Sequence, residues 1–184
     1  MTWASLADGT VNLVADQGTS DPCVPPEPGV TIERVDAAVT YSLRQRVLRP
    51  GRPAGAARFA IDDDPSTASF AARTPSGEVV STAVVYPEPC PWMPERPHSW
   101  RLRGMATAPD RRGQGIGARV LRAALAHVAA AGGDFVWCNA RVPARGLYER
   151  AGFRTHGPPW DDPEIGPHIA MWLDLTSVPR PPPP

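Results

Sequence analysis

Lysine is missing from this sequence: all 19 basic residues among its 184 are arginine. No step can therefore be carried by a lysine side chain. An excess of charge of either sign is missing too, because 19 acidic residues balance the arginines. No broad positive field is available to hold a nucleic-acid backbone or an anionic membrane, so neither is expected as a partner. Cysteine is scarce, and Cys23, Cys90 and Cys138 are too few and too far apart for a disulfide framework or a paired-cysteine metal site. A reducing compartment and no metal are expected. No apolar run approaches the roughly 18 residues of a membrane span, and the beginning lacks the basic-then-apolar order of a signal peptide. The expected location is the cytoplasm.

Proline, by contrast, is abundant, with 24 residues gathered mainly at the two ends and in the stretch from Tyr86 to Pro97. The length suits one domain. The expected division is a flexible N-terminal extension over 1–29, one folded domain over 30–175 and a proline-rich tail over 176–184. "VTIERVD" alternates as a strand, and Asp36 stands where it can cap a helix through "AAVTYSLRQRVLR", which Pro50 stops. "AARFAIDDD", "STASFAAR" and "GEVVSTAVVYP", separated by turn signals, predict an antiparallel meander, with Asp62 to Asp64 as a solvated turn. "SWRLRGMATAP" reads as a further strand with a bulge at Gly104. "GARVLRAALAHVAAAG" puts Val120, Leu121, Ala124, Leu125 and Val128 on one helical stripe, and Gly132 stops it. The buried strand "DFVWCNA", the helix "VPARGLYERAG" and the closing strand "HIAMWLDL" complete the chain.

"RRGQGIGA" sits at the start of the clearest helix and asks for a phosphate. A Walker loop needs a lysine and fails on composition. Gly113, Gly115 and Ala118 satisfy the dinucleotide fingerprint, but "APDRR" separates the preceding strand from the glycines and the next strand ends in Asn139 rather than an acid. A pyrophosphate laid across backbone N–H groups at the positive end of the helix, with Arg112 adding charge, fits without strain.

Arg112, Gly115 and Gly117 resemble the acetyl-CoA motif of the GCN5-related N-acetyltransferases (GNAT), in which Arg or Gln precedes two residues, Gly, one residue, and Gly or Ala. "RGMATAP" before it, and "WCNAR" and "ARGLYERAGF" after it, are similar to the family in order and spacing. "EIGPHIAM" and "LRQRVLRPGRP" resemble the subgroup of ElaA- and YjcF-like proteins. The resemblance implies a single α/β (α+β) domain with a mixed, mainly antiparallel sheet flanked by helices. It also implies an acyltransferase that moves the acetyl group of acetyl-CoA to a primary amine by direct attack in a ternary complex. The pyrophosphate would lie on Arg112, Gly113, Gln114, Gly115, Ile116 and Gly117. The pantetheine would run along the backbone of Met105 and Thr107 and touch Asn139, and the Tyr148 hydroxyl would reach the CoA sulfur as a proton donor. By spacing alone Tyr148 is a core aromatic beside Ala144, Leu147 and Ala151, and Cys138 a small core residue.

Many relatives carry a glutamate base on the strand before the glycine loop. Arg101 and Arg103 stand there instead. The acceptor site is expected at "DDPEIGPH", where the carboxylates can hold a cationic amine and Glu164 or His168 can take its proton. Failing that, Arg101 and Arg103 point to an acceptor bearing a carboxylate or phosphate. The acceptor is expected to be a small molecule, with a protein N-terminus or lysine as the alternative and a homodimer left open. A non-catalytic acyl-CoA-binding module is the rival from another class.

Overall fold

The computed structural model describes residues 29–177, so the expected extension through residue 28 and the end of the tail, 178–184, lie outside the described residues. The chain forms β1 (Thr31–Val35), α1 (Ala37–Leu48), β2 (Ala68–Arg73), β3 (Val79–Pro87), β4 (Ser99–Thr107), α2 (Ile116–Ala130), β5 (Phe135–Arg141), α3 (Arg145–Arg150), β6 (Arg154–Asp162) and β7 (Gly166–Asp174). One seven-stranded sheet results, in the order β1-β2-β3-β4-β5-β7-β6. Every neighbouring pair is antiparallel except β4 and β5. This is the mixed, mainly antiparallel sheet flanked by helices that the sequence implies.

β2 and β3 are rich in small and β-branched residues because both of their faces are covered: they are buried at almost every position, and α1 and α2 each pack across them. The α2 stripe is buried as its spacing predicts, with Ile116 added to it. Gly132, at φ +84°, ends the helix. The next glycine is needed for space rather than for backbone freedom. A Cβ on Gly133 would lie 2.5 Å from Val128 Cγ1 and 2.6 Å from the Trp100 ring. Gly133→Ala should therefore cost about 1–3 kcal/mol by overpacking, measured as a lower Tm, whereas an unchanged Tm would show that the Trp100 ring yields freely.

α2 is the crossover that lets β4 and β5 lie parallel. Their pairing runs only from Ser99 opposite Phe135 to Arg101 opposite Trp137. Beyond this point β4 bends at Gly104, at φ +61°, where its register with β3 shifts. β5 stays with β7 as far as Arg141 opposite His168. The two strands part, and a cavity opens between them.

Four local readings are corrected. "AARFAIDDD" is not a strand: Ala60–Asp63 forms a 3-10 turn. Asp62 is not solvated but wholly buried against Arg44, whose two terminal nitrogens donate to its two carboxylate oxygens at 3.1 and 3.0 Å. Asp36 occupies the N-cap of α1 yet makes no side-chain cap bond. The helix drawn from Val142 begins with a 3-10 turn over Val142–Ala144, and only Arg145–Arg150 is α-helical.

The largest difference is β6, a strand where the sequence shows only "RTHGPPWDD". Its Gly-Pro-Pro is accommodated in a bulge between His156, opposite Ala170, and Trp160, opposite His168. The strand is outermost in the sheet, so the missing proline N–H groups cost no ladder bond there. "DDPEIGPH" is consequently a hairpin, with its two aspartates ending β6 and Gly166 opening β7.

Candidate active site

The glycine loop runs from a 3-10 turn at Pro109–Arg111 into α2. Gly113 and Gly115 have φ +77° and +74°, a region that side chains disfavour. The helix has no side-chain cap, and its first backbone bond is Arg119 N–H to Gly115 C=O at 3.1 Å. The N–H groups before it are left without helical partners at the positive end of α2. Arg112 is exposed and, among the described residues, anchored through its Nε, which donates to the Thr107 carbonyl at 3.3 Å. Gln114 donates to Asp110 C=O at 3.4 Å while its own Oε1 is buried without a partner among the described residues. Orphan donors, an anchored arginine and an open approach suit a pyrophosphate. Arg112→Ala should weaken CoA binding by about 1.5–3 kcal/mol; equal affinities by calorimetry would remove the loop from the binding site.

The loop adjoins the opening between the strands. A Cβ on Gly117 would come 3.0 Å from Thr107 Oγ1 and 4.0 Å from Met105 Cε. Met105 in turn lines a cavity of about 340 Å³ shared with Asn139 and Tyr148. Asn139 is an exposed position in an otherwise buried stretch of β5, whereas Cys138 points into the core, where burial raises its thiol pKa. Tyr148 is buried, packs edge-on against Phe153 at 5.5 Å between ring centres, and has its phenol pKa pushed well up by burial. It stays protonated throughout the neutral range.

His168 lies on β7 in the same cavity and is also buried. Its Nδ1 is 2.6 Å from the Gly166 carbonyl oxygen. A carbonyl only accepts, so Nδ1 carries the proton and Nε2 of the neutral ring keeps its lone pair. Glu164 is not brought to the cavity. It sits on the hairpin tip with its side chain 67% exposed, 3.5 Å from Arg52. Asp162 lines the cavity instead, and its Oδ1 also accepts from the N–H groups of Glu164 and Ile165.

A family model described as the acetyltransferase (GNAT) family matches residues 39–153. The chain belongs to the GNAT family. It is 33% identical over 147 residues to the uncharacterized N-acetyltransferase YitI of Bacillus subtilis, a match covering 79% of this chain and 97% of that protein. Among solved structures, Escherichia coli ElaA superposes with a TM-score of 0.65 at 15% identity, over 79% of this chain and 99% of its own. An aminoglycoside 6'-N-acetyltransferase complexed with coenzyme A gives 0.63 at 17% identity, over 83% and 99%. This GNAT chain is thus an acetyl-CoA-dependent N-acetyltransferase, an acyltransferase enzyme.

Sequence reasoning missed part of the GNAT cavity wall. Arg49, Phe59, Arg141 and Trp160 line it, while Asp162 is a carboxylate of the expected "DDPEIGPH" stretch. Arg141 was within reach, since it shares a strand face with Asn139 two residues earlier. Arg49 follows the last turn of α1 and Phe59 lies in a connecting loop, and no periodicity marks either.

Proposed function

We propose that this GNAT enzyme acetylates the primary amine of a small molecule by direct attack within a ternary complex, in a reducing, cytoplasmic setting. The observation that carries the reading is the placement of Tyr148 and His168 on one cavity, at the parting of β4 and β5 and beside the glycine loop. The amine nitrogen bonds to the acetyl carbonyl carbon, and the carbon–sulfur bond breaks. His168 Nε2 takes the amine proton, directly or through water, and the Tyr148 phenol returns a proton to the departing sulfur. The products are the N-acetyl amide and free CoA. A cavity of about 340 Å³ is the size of a small-ligand site.

The reading is tested by thiol release from acetyl-CoA across a panel of small amines, with a peptide bearing a free N-terminus alongside. Amine-dependent release from small molecules supports it. Release with the peptide alone would transfer the activity to protein substrates.

A further inference from the structure

The cavity wall carries more positive charge than acetyl-CoA binding or proton transfer requires. Among the described residues four arginines, Arg49, Arg101, Arg103 and Arg141, face a single lining carboxylate, Asp162. One of the four is accounted for: Arg101 donates to Glu88 at 2.9 Å and lies over the Trp137 ring at 4.4 Å. The other three form no ion pair among the described residues. Their positions are nevertheless fixed. Arg141 donates to the Leu48 carbonyl at 2.7 Å, Arg49 to the same carbonyl at 2.9 Å, and Arg103 lies over the Phe59 ring at 4.2 Å.

Three half-buried guanidinium groups held near one another, with no ion pair among the described residues, repel. The effect shows at Arg49, whose pKa is lowered first by burial and then by Arg141 and Arg103, against a smaller opposing pull from Asp162 and Glu164. An alkylammonium with no other charge would enter this cavity against the same repulsion. A fork of guanidinium donors matches a carboxylate or phosphate, to which arginine binds bidentately.

We infer that the acceptor is a small amine that itself carries an anionic group, a carboxylate or a phosphate, held by Arg49, Arg103 and Arg141 while its amine faces His168. The inference rests on the N-acetyltransferase reading of this same site and narrows it to amino-acid-like or amino-phosphate acceptors. Asp162, the one lining carboxylate among the described residues, opposes that repulsion at Arg49 only in part.

The test uses the full chain, acetyl-CoA and matched pairs of amines differing only in the anion: β-alanine against 3-aminopropanol, and ethanolamine phosphate against ethanolamine. At least one anionic member should exceed its neutral partner in kcat/KM by at least about tenfold, and the pair that does so separates a carboxylate from a phosphate acceptor. In Arg49→Gln and Arg103→Gln, made singly so that a folding defect in one leaves the other informative, that preference should shrink severalfold. Acetyl-CoA affinity by calorimetry should stay close to wild type. Equal rates with both members of each pair would overturn the anion assignment while leaving the N-acetyltransferase reading intact. Release confined to amines without an anion or to the peptide would also overturn the anion assignment, and no release with any small amine of the wider panel, given normal acetyl-CoA binding, would overturn the small-molecule reading on which it rests.

Discussion

Tyr148→Phe is expected to lower turnover on the order of 10²-fold, the low end for a general acid, while acetyl-CoA affinity stays near wild type. The substitution deletes the phenol oxygen and keeps the ring that packs against Phe153. Burial raises the phenol pKa, so the hydroxyl carries its proton at any pH where the enzyme works. That suits delivery of a proton to a departing thiolate and is the wrong state for a base. The measurement is single-turnover chemistry together with CoA binding by calorimetry. An unchanged chemical rate would reduce Tyr148 to the core aromatic that its helical spacing alone suggests, and a matching loss of CoA affinity would place its role in binding.

Asp62→Asn should lower the unfolding free energy by about 3–5 kcal/mol, because Arg44 would be left charged and wholly buried. Asp62 also accepts the Phe59 N–H at 2.8 Å, so the same carboxylate closes the turn before β2. Arg44 has few other resources: it donates to Thr40 Oγ1 at 3.3 Å and to the Ala57 carbonyl, and its Nε has no partner among the described residues. For a chain of this size the fall in Tm should be roughly 10 °C. Replacing both members with apolar residues, Arg44→Met with Asp62→Leu, should recover much of the loss, since a buried pair often contributes little over a well-packed isostere. A single variant within about 1 kcal/mol of wild type would mean that water reaches Arg44. The pair also bears on the cavity, because Arg44 lies 3.9 Å from the centre of the Phe59 ring that supports Arg103. Asp62→Asn should therefore weaken selection of an anionic acceptor even under conditions where it remains folded.

The sheet, α2 and the glycine loop were legible because their signals are local. A 3.6-residue stripe, β-branched runs and glycines at fixed offsets each state a backbone conformation without reference to partners. What escaped depends on tertiary context. Asp62 reads as a solvated turn because three aspartates before a proline usually are one, and only the arrival of Arg44 from α1, 18 residues earlier, makes burial tolerable. β6 escaped because "HGPP" forbids a central strand, and nothing in the segment reveals that it lies at the rim. Within the candidate site, Tyr148 and His168 were reached through family resemblance and residue chemistry. Glu164 was chosen for its carboxylate, but it falls in the exposed turn beyond the end of β6, and Asp162, the last residue of that strand, lines the cavity in its place.

The Gly-Pro-Pro bulge of β6 has a bearing on how the molecule behaves in a crowded solution. An outermost strand ordinarily offers a row of unsatisfied amide donors to any extended chain that drifts past, a route to polymerisation. In β6 two successive positions, Pro158 and Pro159, have no amide hydrogen at all, and Gly157 at φ +66° turns the backbone out of register with an incoming strand. This rim cannot be extended as a continuous ladder, which protects the side of the sheet next to the acceptor cavity from being stitched to another molecule.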